Sequence, residues 1–241
     1  MPAMPDRRKH RGPHPEDHTI FGAEALPDLR EAVADLSWLH TRGYAAASAA
    51  KLVGDRRQLV ERQRTAVQRC ACSDQHLEGR RQRQVDEATV AGQTVWLDGF
   101  NVLTTVESAL AGAFVFRGRD GCCRDMAGIH GHYKRVEETL PAIKLIGRTL
   151  GRLQTSAVVW YLDKPVSNSG RLAQWIRTVA AEHSWPWEVE LVPDPDPVLA
   201  RAAEIIASAD SAVLDAGPRW LNLVSHILHD HVPEARIVDL S

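Results

Sequence analysis

The chain has 241 residues, 44% hydrophobic and 25% charged, with a formal net charge of -2 at pH 7, the composition of a soluble globular protein with room for one large domain or two small ones. No apolar run approaches the roughly 20 residues that span a bilayer, and the basic N-terminal cluster leads into polar residues, without the apolar core of a signal peptide. A cytoplasmic location is expected, with Cys70, Cys72, Cys122 and Cys123 as free thiols.

Residues 1–25, rich in Pro, His and charge, show no period and read as a disordered or loosely attached arm. Pro27-Asp28 opens a helix, with Asp28 as cap and Glu31 returning the bond, and Gly43 closes it. Helices are predicted over about 45–53, stopped by Gly54, over about 58–70, and from a Ser73 cap to about Glu87. Residues 28–90 thus read as a small all-helical, Arg-rich domain. Between Arg42 and Arg83 ten Lys/Arg stand against four Asp/Glu. These arginines outnumber their local acids, which suits a polyanion; a solvated helical face accounts for the same counts.

After Gly92 the pattern alternates strand and helix through residues 93–241. The strand around Val95 is followed by a short helix with Thr104 and Glu107 as a capping box, then a brief strand at 114–116. Residues 117–132 read as a Gly-rich loop near the site, and about 133–153 as a long helix. Strands around Val158, 188–192 and Ile205, helices over about 171–182 and 219–230, and a last strand at 236–238 complete an α/β pattern. It predicts a parallel sheet covered on both faces.

Several apolar runs end in an acid: TVWLD at Asp98, VVWYLD at Asp163, WEVELVPDPD at Asp194 and Asp196, EIIASAD at Asp210. Ligands of open α/β sheets bind at the C-terminal strand ends, so an acidic cluster is predicted there, with Asp120 and Asp215 as additions. Clustered carboxylates repel unless a cation lies between them. Hard oxygens suit Mg2+ or Mn2+, ions that activate water and stabilise the leaving oxygen of a phosphodiester. The competing reading of each Asp is a helix N-cap. Asn101 adds a polar group beside Asp98; Ser167, Asn168 and Ser169 precede a helix and are candidates for binding phosphate, or simply a capping turn. Lys164 and Arg119 are phosphate-contact candidates, with solvated surface roles as the alternative. Zinc ligation by the cysteines with His76, His130 and His132 ranks low, because the paired C-x2-C spacing is missing. Gly128–Gly131 matches a phosphate-gripping GxxG over too few residues to carry weight.

The segments LDGFNVL, LDKPVSNSG and SADSAVLD resemble the PIN-like superfamily of metal-dependent nucleases, particularly its NYN-type members. RGYAAASAAKLVGDRRQLVERQR followed by VWLDGFNVLTTVESALAG more closely resembles a two-part family of unassigned function, an Arg-rich helical segment before a PIN-like domain. The resemblance implies a three-layer α/β fold with a parallel central sheet and Mg2+- or Mn2+-dependent hydrolysis of RNA. It makes Asp98, Asp163, Asp196 and Asp210 the metal-binding acids and Asn101 the polar residue of the first turn. The Arg-rich segment, including Arg56, Arg57, Arg62 and Arg64, becomes the RNA-binding part, with Arg119, Lys164, Ser167 and Ser169 close to the phosphates. The mid-chain helix acid of the family has no clear counterpart; Glu137, Glu138 and Asp120 are the candidates. A non-catalytic RNA- or ribosome-binding protein of this fold is the alternative. Monomer and homo-oligomer both remain open.

Overall fold

A computed structural model of the chain describes residues 10–128 and 131–241; residues 1–9, and Ile129 and His130 of the GxxG and zinc readings, lie outside the described residues. Residues 10–25, expected to be loosely attached, are packed. The short helix α1 (Asp17–Ile20) is held by an ion pair from Arg62 to Asp17 at 2.8 Å. Phe21 meets Phe116 edge-on with ring centroids 4.6 Å apart. A four-residue helix carries no visible period, and both partners are distant in sequence.

Four helices follow: α2 (Leu26–Thr41), α3 (Ala46–Arg56), α4 (Glu61–Cys70) and α5 (Asp74–Arg83). α2 begins ahead of Asp28, with Pro27 in its first turn, where no backbone N–H is needed. Asp28 is therefore a first-turn acid, not the cap. α3 runs through Gly54 and ends at Arg56 instead of stopping at the glycine; the Arg64 guanidinium lies over the space a β-carbon at 54 would take. Ser73 does cap α5, its Oγ accepting the His76 N–H at 3.1 Å. Leu29, Leu36, Val53 and Val67 of these helices share one buried cluster with Phe116, Val238 and Leu240. The helical segment thus has its core in common with the rest of the chain.

The remainder is α/β: α6 (Glu87–Val90), β1 (Thr94–Asp98), α7 (Gly99–Leu110), β2 (Phe114–Arg117), β3 (Cys123–Arg124), α8 (Thr139–Arg152), β4 (Ala157–Asp163), α9 (Ser169–Glu182), β5 (Trp187–Val192), α10 (Asp196–Leu199), β6 (Ile205–Ala207), α11 (Ser211–Ala216), α12 (Leu223–His231) and β7 (Arg236–Asp239). The main sheet is parallel and four-stranded, in the order β5-β4-β1-β6. Successive side chains alternate between its faces. Val95, Leu97, Trp160 and Leu162 pack with α7, α8, α9 and α12. Trp96, Tyr161 and Ile206 pack on the other side with Val213, Leu214 and Trp220. Burial on both faces explains why these strands read as continuous apolar runs.

Two expectations are corrected here. The strands at 114 and 236 do not join the main sheet; β2 and β7 pair in parallel and β3 joins antiparallel, giving a second sheet β3-β2-β7. The helix expected to open at Thr104 starts at Gly99, and the one expected from Tyr133 starts at Thr139. Thr104 is therefore mid-helix, its hydroxyl donating to the Phe100 carbonyl at 2.8 Å.

Candidate active site at the acidic sheet edge

The chain travels outward from β1 to β4 and β5, then returns to lay β6 on the other side of β1. Such a reversal leaves a crevice at the C-terminal ends of the two strands that flank it. Asp98 ends β1, and Ser208, Ala209 and Asp210 follow β6. Gly99 makes the turn after Asp98 possible, since a β-carbon there would lie 2.8 Å from the Tyr161 carbonyl oxygen. α7 can then leave β1 without a linker, which brings Asn101 against β6: its Oδ1 accepts the Ala209 N–H at 2.9 Å. Ser208 Oγ donates to Asp98 Oδ2 at 2.7 Å and accepts the Asp210 N–H at 3.0 Å. Asp210 Oδ1 caps α11, accepting from the N–H groups of Ala212 at 2.8 Å and Val213 at 3.2 Å. The N-cap reading of Asp210 is thus the one these hydrogen bonds show.

The acids act on one another through space. Burial, with Asp210 and Asp196 adding to it, pushes the Asp98 carboxyl up to about 7 against the opposing Ser208 hydrogen bond. Burial, then Asp210, Asp194 and Asp163, pushes Asp196 up to about 6. Asp163 is raised by burial and by Asp194. No Lys or Arg of the described residues pairs with Asp98, Asp163 or Asp196. Asp98, Asp196 and Asp210 therefore lie in one field, Asp163 and Asp194 on its β4–β5 side. Among the described residues, no three His, Cys, Asp or Glu side chains are already gathered at ligating distance.

The other acids belong elsewhere. Arg80, 2% exposed, pairs with Asp120 and, through Nε, with Asp215 at 2.7 Å. Arg124 adds two bonds to Asp120, at 2.9 and 2.6 Å, and its Nε donates to the Ala209 carbonyl at 2.8 Å. Burial pushes Asp120 up, but Arg124 and Arg80 outweigh it and hold the carboxyl at about 2. Asp120 and Asp215 are thus neutralised and do not join the acidic edge. Glu137 and Glu138 pair with His10. Glu107, expected in a capping box, is fully buried and held by Arg11, Tyr133 and Thr139. Those partners lie far from it in sequence, which hid the contact.

The basic side chains are mostly engaged. Arg57 binds Asp35 and Glu31, Arg62 binds Asp17, Arg64 binds Asp55, and Arg119 binds Asp74 and the Cys72 carbonyl. Arg56, Lys164 and Ser167 are exposed. Ser169 is buried, its Oγ donating to the Lys164 carbonyl at 3.3 Å. The arginines in excess of local acids find distant ones: Arg80 reaches Asp120 and Asp215, and Arg69 reaches Asp125. The sequence reading missed Ser208, two residues before Asp210, and Asp125, which accepts from Thr104 and Thr105 at 3.1 and 2.8 Å. Asp125, Arg69, Asn101 and Asp210 line a cavity of about 420 Å3 beside the acidic edge.

Comparison with known proteins bears on this region directly. Residues 87–226 match the family model described as Domain of unknown function (DUF5616). The chain belongs to the DUF5616 family. Residues 28–83 match a second model, Protein of unknown function (DUF434). A protein of Methanocaldococcus jannaschii, described as "Uncharacterized protein MJ0935", is 31% identical over 186 residues, covering 77% of this chain and 88% of its own. No solved structure matches. The acidic edge falls wholly inside the DUF5616 span. Arg69 and Gln68 of the adjoining cavity come from the DUF434 span, so the two matched regions meet at the candidate site.

Proposed function

We propose that this DUF5616 chain is a metal-dependent ribonuclease of PIN-like, three-layer fold, hydrolysing RNA phosphodiester bonds with Mg2+ or Mn2+ at the acidic edge. The reading rests on one observation: Asp98, Asp163 and Asp196, from separate strand ends, face one another's charge at the sheet's crevice, and among the described residues no Lys or Arg pairs with them. Their hard oxygens suit a divalent cation of this class. The elevated Asp98 and Asp196 carboxyls mark a cluster short of positive charge. Asp98, Asp196 and Asp210 would hold the metal, with Asp163 and Asp194 on the outer side. Bound there, it would supply an activated water and charge stabilisation at the leaving oxygen. Ser208 orients Asp98 by donating to its Oδ2. Asn101 locks the β1–α7 turn to the β6–α11 turn, and Arg69 faces the cavity where a phosphate would lie.

A non-catalytic RNA- or ribosome-binding protein of the same fold is the second reading. It is favoured by the lack, among the described residues, of three side chains already at ligating distance. Labelled single-stranded and structured RNAs, incubated with Mn2+ or with EDTA, separate the two. Cleavage that needs both the metal and Asp98, and is lost in Asp98→Asn, supports the nuclease. Salt-dependent binding without cleavage transfers the assignment to the binding module.

A further inference from the structure

The cavity beside the acidic edge does not stand alone. Gln68 and Ser211, on its wall, also line a second cavity of about 630 Å3 that includes Tyr44, His40 and His76. His40 and Gln68 in turn line a third, of about 560 Å3, with Lys51 and Arg64. Three adjoining hollows therefore run from Asn101 and Asp210 across α4 to the α2–α3 corner, with the Gln68 side chain at every junction. Gln68 is exposed and its amide has no partner among the described residues. Tyr44 is 55% exposed, so its ring face is open to the second hollow. Lys51 and Arg64 share the single carboxylate of Asp55, which leaves one positive charge over.

We propose that this trench is the track of a single-stranded polynucleotide whose scissile end lies at the acidic edge. The inference rests on the ribonuclease reading and extends it, by assigning the strand-binding surface to Tyr44, Gln68 and the Lys51–Arg64 pair, two cations on one carboxylate, instead of to the arginines whose charge is matched by their own acids. The chemistry fits a strand better than a mononucleotide. Lys51 and Arg64 offer cations to a phosphate backbone in the far hollow, the exposed Tyr44 ring offers a base a stacking face in the middle one, and the unpaired Gln68 amide can bond a base edge where the hollows join. The successive hollows also extend the path well beyond one nucleotide.

The test uses Asp98→Asn protein, so that no strand is cut, and fluorescence anisotropy of a ladder of labelled single-stranded oligonucleotides from two to twelve nucleotides. Affinity is expected to rise with length and then level off. Tyr44→Ala, a surface change that leaves the core intact, should lower the affinity of the longest strands about tenfold, the scale of one lost stacking contact, and flatten the length dependence. Tyr44→Phe should restore it. Lys51→Gln should weaken long strands less and reduce the salt dependence. Long-strand affinity unchanged in both Tyr44→Ala and Lys51→Gln overturns the track, even if wild-type protein cleaves RNA. Competition by an acidic peptide that Tyr44→Ala abolishes, with RNA binding unaltered, also overturns it and gives the trench to a protein ligand. Length-dependent binding by wild-type protein without cleavage would sink the nuclease reading and leave the track standing.

Discussion

Asp98 and Asp120 are both nearly buried aspartates in the same α/β region, yet they are driven in opposite directions. Asp120 lies between two guanidiniums and is held at about 2; Asp98 lies among other acids and is pushed to about 7. Burial raises both, so the partners alone make the difference. The Asp120 network is a staple: Arg80 comes from the helical segment, Asp120 and Arg124 from the β2–β3 region, Asp215 from α11. Asp98 has no cation partner of this kind among the described residues; its carboxyl accepts instead from the Ser208 hydroxyl, which ties the end of β1 to the turn after β6. Buried charge of the first kind marks architecture, and of the second kind a site.

The sharpest way to break this contrast is to remove Arg80. Arg80→Ala leaves Asp120 with Arg124 alone and takes the guanidinium away from Asp215, and is expected to cost about 1.5–3 kcal/mol in urea unfolding, the scale of hydrogen bonds to charged groups. Adding Asp120→Asn should deepen the loss, because it leaves the buried Arg124 guanidinium without a carboxylate; if the single variant unfolds at the wild-type denaturant midpoint, the staple is not structural. At Asp98 the sign is reversed. Its folded carboxyl near 7 lies above the ordinary 3.8, so its contribution is intact below about pH 4 and declines as pH rises through 7. Asp98→Asn should therefore raise the melting temperature by several degrees at pH 8 and leave it nearly unchanged at pH 4. Asp120→Asn should do the opposite. The Asp120 contribution is present above about pH 4 and lost as pH falls through 2, so this variant is destabilised at neutral pH and converges on wild type in acid.

Mn2+ sharpens the comparison further. Saturating metal should raise the wild-type melting temperature by the equivalent of about 2–3 kcal/mol at a hundredfold excess over Kd. The gain should be larger at pH 8 than at pH 5, because protons compete for Asp98 and Asp196, and most of it should vanish in Asp98→Asn. Equal shifts in both proteins would separate any metal effect from this cluster. The smallest change is expected on the surface. Arg152→Ala breaks exposed pairs with Glu87 and Asp230 and should cost less than about 1 kcal/mol.

What could be read in the sequence follows the range of the interactions involved. Strands buried on both faces announce themselves as apolar runs, and their C-terminal acids mark the sheet edge, so Asp98, Asp163, Asp196 and Asp210 were legible. Ser73 was legible as a cap because its bond spans three residues. Gly54 and Gly99 were visible as glycines, but their purpose depends on Arg64 and on the Tyr161 carbonyl, contacts that no local pattern encodes. The arginine surplus was correctly counted, yet three-dimensional pairing alone reveals that Arg69 and Arg80 spend their charge on acids far down the chain. The second sheet stayed hidden for the same reason, since β4, β5 and β6 of the main sheet lie between β2 and β7 along the chain.

The shared cluster beneath the helices has a consequence for synthesis. Leu29, Leu36, Val53 and Val67 emerge from the ribosome early and Phe116 soon after them, but Val238 and Leu240, which complete their packing, follow only after the rest of the α/β region. The first helices must therefore wait with apolar faces open while the rest is translated, a state that invites chaperone capture. Shortening the chain by the β7 residues Arg236–Asp239 would leave that opening permanent, so a deletion at one end should register as misfolding at the other.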